Sequence, residues 1–128
     1  MKSGYYITAD GERVKLDNDI GIYLLTLEHI NLLEITELVM TLPISTISCS
    51  STKLTKLILP KGVKGLYCNY NNLLTELIIP DTVNILECVG TKFKDLILPL
   101  GLEFLWCDLK AIDITKYKDS NTIMLLYA

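Results

Sequence analysis

The sequence predicts a mainly β solenoid: one domain of short stacked coils with a parallel sheet, little helix and an N-terminal β-hairpin cap. Three observations predict it. Four cysteines recur at steps of 19, 20 and 19 residues, at Cys49, Cys68, Cys88 and Cys107. Apolar residues recur around them at constant offsets, and no segment from 38 to 109 shows a convincing helical period. A unit of about 20 residues is too short to bury its own apolar side, so each copy needs another above and below it.

Taken in chain order, the first element is a hairpin. "YYITADGERVKL" contains Asp10-Gly11, the preferred pair for a two-residue turn. Counting outward pairs Ala9 with Glu12, Ile7 with Val14 and Tyr5 with Leu16. That register puts Tyr5, Ile7, Val14 and Leu16 on one apolar face, able to cover the first coil. Residues 20–33, "IGIYLLTLEHINLL", fit either a degenerate repeat or a short amphipathic helix through Ile20, Tyr23, Leu24 and Leu27. Residues 1–33 are thus read as hairpin and degenerate cap, 34–112 as repeats and 113–128 as a C-terminal cap strand.

The repeats line up from the cysteines. Eleven residues before each stand Leu38, Leu57, Leu77 and Leu96; five before, Ile44, Val63, Val83 and Leu102; two before, Ile47, Leu66, Leu86 and Leu105. Pro60, Pro80 and Pro99 recur eight before, with Thr41 in the earliest copy, and Leu54, Leu73, Phe93 and Ile112 follow five after. Proline has no N–H to donate, so it keeps the preceding "LIL" leg from becoming a long ladder. The return leg is expected to be extended or 3-10 in character. "DSNTIMLLYA" reads as a loop and a final strand. A 20-residue step would turn Leu125 and Tyr127 inward and leave Met124 and Leu126 on the face; a 19-residue step reverses them.

The pattern L-x-x-L-x-L-P-x-x-V-x-x-L-x-C, with "LYCNYNNL" at residues 66–73, resembles the leucine-rich repeat at its short limit. It is similar to the short repeats of bacterial effectors and of giant viruses of amoebae, and its regular cysteine to that of the cysteine-ladder internalins. The resemblance covers residues 38–109, with Ile30, Ile35 and Leu38 echoing it upstream. It implies a right-handed solenoid whose parallel sheet lines a concave surface, the usual place for protein partners. Three residues after the cysteine only Asn71 matches the family's asparagine, with Thr52, Thr91 and Lys110 elsewhere, so a continuous asparagine ladder is not expected.

Alternation within a strand turns Leu66 and Cys68 inward and Gly65, Tyr67 and Asn69 outward. The cysteines are therefore core positions, where a free thiol packs as a small hydrophobe. A disulfide framework is the alternative, since the count is even, although parallel Cβ bonds in a column disfavour it. Four cysteines along about 15 Å of column do not surround one zinc. No metal and no cofactor is expected.

Half of the 128 residues are hydrophobic and 8% aromatic, so leucine and isoleucine must fill the core. The net charge of -3 comes from scattered residues, which argues against a nucleic-acid face. The start lacks the apolar segment of a signal peptide, and runs such as "YLL" and "MLLY" fall far short of the roughly 18 residues a membrane helix needs. A soluble, cytoplasmic chain is expected, in a host cytoplasm if the source is viral or pathogenic. No catalytic constellation is expected: His29 is the only histidine, a reactive thiol needs exposure, and Glu87 with Asp108 forms only a weak carboxylate pair.

The outward residues carry the functional expectation. They run Thr46, Ser48, Ser50; Gly65, Tyr67, Asn69; Ile85, Glu87, Val89; Phe104, Trp106, Asp108, from small hydroxyls to large apolar groups. An apolar patch of this kind marks an interaction site, unless the last segment folds over it as a cap. The expected function is protein binding without catalysis, through Tyr67, Asn69, Ile85, Glu87, Val89, Phe104, Trp106 and Asp108. The alternative is a structural or self-assembling protein, a homodimer or filament, joined through its C-terminal edge strand or this apolar face.

Overall fold

The computed structural model describes residues 4–8, 10–15, 35–40, 45–50 and 53–127. Residues 20–33 with His29, together with Thr41, Ile44 and Thr52, lie outside them. In chain order the strands are β1 (Gly4–Thr8), β2 (Arg13–Lys15), β3 (Ile35–Met40), β4 (Thr46–Ser48), β5 (Lys56–Ile58), β6 (Gly65–Tyr67), β7 (Glu76–Ile78), β8 (Ile85–Cys88), β9 (Phe104–Asp108) and β10 (Ile123–Tyr127). Helix is confined, among the described residues, to 3-10 turns at Leu109–Ala111 and Ile114–Tyr117. The chain is mainly β, with coils stacked as a β-solenoid of about four turns.

The coils of β3–β4, β5–β6 and β7–β8 contribute to two sheets rather than one, and the coils of β9 and β10 to the second sheet alone. The first has the order β2-β1-β3-β5-β7 and the second β10-β9-β8-β6-β4. All coil-to-coil pairs are parallel, in the register that the cysteine count implies: Leu38 with Leu57 and Leu77, Leu66 with Leu86, Leu105 and Ile47, and Cys88 with Cys107. The leucine legs stop after three residues at β5 and β7, ahead of Pro60 and Pro80. Between the sheets lies the core. Leu57, Leu66, Leu86, Leu105 and all four cysteines are fully buried.

Corners are tied by like residues. The Thr55 N–H donates to the Thr36 carbonyl at 2.7 Å and the Thr75 N–H to that of Thr55 at 3.1 Å, while the Thr55 and Thr75 hydroxyls donate to the same two carbonyls. In the fourth coil this column would continue at Lys94, which has no hydroxyl for it. There Asp95 takes a positive φ of 53 and residues 94–99 form no strand. The Tyr117 hydroxyl serves that leg instead, accepting from the Leu98 N–H at 3.1 Å.

Two expectations are corrected, and one alternative is decided. The hairpin is offset by one residue: Ile7 faces Arg13, Tyr6 faces Val14 and Tyr5 faces Lys15. Thr8 and Glu12 close it, with Gly11 at φ 91, because Thr8 also binds Asp10 and the Glu12 N–H through its hydroxyl. A three-residue loop ending in a left-handed glycine is the next favoured hairpin after the two-residue turn. Val14 is thereby set beside Tyr6 and not with Tyr5 and Ile7, Leu16 lying outside the described residues, and Arg13 lies 3.8 Å over the Tyr5 ring. The hairpin caps the stack by pairing β1 antiparallel with β3, extending a sheet rather than covering a coil.

The second correction concerns Leu73, which is half-exposed, whereas Leu74 is fully buried. The coil after Cys68 holds its additional residue in this return, where Tyr70 adopts a positive φ of 60; the step from Leu54 to its structural equivalent is thus 20 and not 19. Finally, β10 settles between the two registers: Met124 pairs with Leu105 and Leu126 with Cys107, a 19-residue step. Met124 and Leu126 pack on the core, and Ile123, Leu125 and Tyr127 lie on the opposite face.

Candidate interaction surface

The register of the second sheet assembles the predicted outward face in rows. One row reads Thr46, Gly65, Ile85, Phe104, Ile123, and the next reads Ser48, Tyr67, Glu87, Trp106, Leu125. Alternation is plain in β8 and β9, where Ile85, Glu87, Phe104, Trp106 and Asp108 are half-buried and Leu86, Cys88, Leu105 and Cys107 are buried. The gradient from hydroxyl to apolar therefore exists in three dimensions. Its apolar end continues onto β10, and the Trp106 and Tyr127 rings meet at 5.7 Å with a 43° tilt. Among the described residues, the final segment extends the patch instead of covering it.

The row just past the cysteines behaves differently. Val89 and Asn69 are buried and do not present surface, contrary to the expectation. Asn69 Oδ1 accepts from the Val89 N–H at 2.8 Å and its Nδ2 donates to Glu87 Oε1 at 3.0 Å. Asp108 Oδ2 accepts from the Gly90 N–H at 3.0 Å. Here the strands end and the backbone turns away, and side chains take over the bonds that the ladder no longer makes. Gly90 sits at φ 76 with no room for a side chain, since an added Cβ would lie 2.6 Å from the Tyr70 ring.

These clasps also settle the carboxylates' surroundings. Trp106, not Asp108, stands opposite Glu87, and each carboxylate already accepts a hydrogen bond within the fold. Chemistry at sulfur is held back by burial. All four cysteines are unpaired and buried; burial pushes the Cys49 thiol up to about 12, and burial with the neighbouring Cys49 and Glu87 charges raises Cys68 well above its ordinary value. Cys88 is raised first by its hydrogen bond to Cys107 and then by burial. The same hydrogen bond lowers Cys107, against the effect of burial; at Cys49, Cys68 and Cys88 a thiolate, the reactive form, is disfavoured.

Sequence reasoning missed a second apolar column. Val39, Ile58 and Ile78 are aligned on the outer face of the first sheet, Ile78 is exposed, and Ile97, at the same place in the next coil, is more so. Its signal was the middle residue of "LIL" and "LII", which alternation turns away from the flanking core leucines. Beside it run Glu37, Lys56 and Glu76, with Lys56 and Glu76 paired at 3.8 Å.

No protein-family model, curated protein or solved structure matches the chain. No helix among the described residues is long and apolar enough to cross a membrane.

Proposed function

We propose that this chain is a non-catalytic protein-binding module of the leucine-rich-repeat kind, which holds its partner on the apolar end of the second sheet. The observation that carries the reading is the Phe104, Trp106, Leu125 and Tyr127 cluster, four large side chains set side by side on adjacent strands and left open to solvent on one side. Aromatic anchors of this type dominate protein interfaces, and a rigid ladder beneath them lowers the ordering cost of binding. Tyr67 and Ile85 extend the surface. Glu87 lies in the same row between Tyr67 and Trp106, and Asn69, Val89 and Asp108 close the ends of the strands beside it. Four reduced thiols suit a cytoplasmic setting.

The double variant Phe104→Ala with Trp106→Ala tests the reading. It is expected to fold with a thermal midpoint close to that of the parent and to lose association with proteins the parent retains. Unfolding of the double variant would make the two aromatics core and remove the binding surface.

A further inference from the structure

A parallel solenoid leaves strands at its sheet edges, and an edge strand with free N–H and C=O groups is a template for pairing. Among the described residues four strands stand at sheet edges, and three of them are blunted. β2 is three residues long with Arg13 and Lys15, β7 is three residues long with Glu76, and β4 is only Thr46–Ser48. β10 breaks the pattern. It runs five residues, Ile-Met-Leu-Leu-Tyr, with no charge and no proline, and Ile123, Leu125 and Tyr127 are 66%, 53% and 50% exposed.

The ladder fixes which backbone groups are available. The Ile123 N–H donates to the Glu103 carbonyl at 2.9 Å, so by alternation Ile123, Leu125 and Tyr127 bond toward β9, and Met124 and Leu126 direct N–H and C=O groups to the open side. Two donors and two acceptors, spaced one residue apart, match their own copy when the strand is turned end for end. We propose that two copies of this chain pair through β10, antiparallel across a two-fold axis at Leu125, and fuse their second sheets into one continuous sheet. Met124 then faces Leu126 of the other copy in hydrogen-bonded pairs.

Leu125 meets its own counterpart in the closer, non-hydrogen-bonded type of pair. Ile123 lies across from the second Tyr127, so the apolar stripe runs unbroken from one copy to the other. Because β10 carries no charge, the two-fold brings no like charges together. This pairing rests on the reading of the second sheet as an association surface and names a second copy as a partner at its edge. The contact is isologous and closed, and it therefore stops at a dimer.

Two measurements test it. In Leu125→Cys the two sulfurs would be carried by Cα atoms about 4.5 Å apart, within disulfide range, so mild oxidation should give a covalent dimer on a non-reducing gel. Ile123 is the more exposed of the two, but Ile123→Cys lies about four residues out of register with its own copy, and should stay monomeric on the gel. Equal cross-linking of both variants, or of neither, overturns the proposal. By sedimentation the parent chain should show a monomer–dimer equilibrium, and Leu125→Lys should weaken it about tenfold or more without lowering thermal stability. A parent that stays monomeric at every concentration, or a dimer indifferent to Leu125→Lys, also overturns it. Phe104 and Trp106 lie on β9, outside the strand pair, so a failure here with a folded double variant leaves the partner-binding reading intact.

Discussion

Burial raises the Cys49 and Cys68 thiols and gives the fold an alkaline limit. Cys49 is the cleanest case: its thiol moves from an ordinary 9.0 up to about 12 by burial alone. The folded chain therefore keeps a proton that the unfolded chain releases between those values. In that window the unfolded state binds fewer protons, and stability falls as pH rises. The urea midpoint is expected to be level below about pH 9 and to decline above it, with a shallower decline in Cys49→Ala; equal slopes in the two chains would contradict buried neutral Cys49. Denaturation without reductant should release four titratable thiols, which react slowly in the native state. That the cysteines are inward was legible from their period. What their neighbours do was less so: Asn71 donates to the Cys49 and Cys68 carbonyls at 2.8 and 2.9 Å, and Thr91, read as a gap in that ladder, donates its hydroxyl to the Cys88 carbonyl at 3.0 Å. The threonine keeps the bond to the cysteine carbonyl three residues before it, while Asn71 also reaches the cysteine carbonyl of the preceding coil.

At the scale of elements, the columns predict which leucines matter. Leu86→Ala removes a fully buried side chain from the middle of the stack and should cost about 2 to 5 kcal/mol in urea unfolding. Leu74→Ala should fall in the same range, while Leu73→Ala should cost below about 1 kcal/mol; the reverse order would return the additional residue to the other side of the turn. That insertion was not legible from spacing alone, because "NNLLTEL" offers two adjacent leucines and a count from the cysteine selects the wrong one. The count from Leu77 backwards selects Leu74, since the corner threonines Thr36, Thr55 and Thr75 keep step with the leucine and not with the cysteine. The hairpin failed for a related reason. Asp10-Gly11 favours a turn, but the Thr8 hydroxyl reaching both Asp10 and the Glu12 N–H selects the longer loop, and a shift of one residue changes every facing pair.

For the molecule as a whole, the solenoid followed from repetition: each coil repeats the last, so one correct register propagates through Leu66, Leu86 and Leu105. The second sheet's apolar face was visible in "LEFLWCD" for the same reason. The first sheet was less visible, since the short "LIL" legs read as interrupted by proline, and their middle isoleucines were given no place. Beyond the repeats, the chain reaches β10 through the 3-10 turns at Leu109–Ala111 and Ile114–Tyr117, and with no cysteine to count from, spacing left its register open. The functional claim comes down to whether the face around Trp106 belongs to solvent or to core. Trp106 is the only tryptophan, so acrylamide quenching of its emission in dilute protein reads this face alone. The account predicts ready quenching, together with a thermal transition that the Phe104→Ala, Trp106→Ala variant shares. Blue-shifted emission that acrylamide does not reach would contradict it.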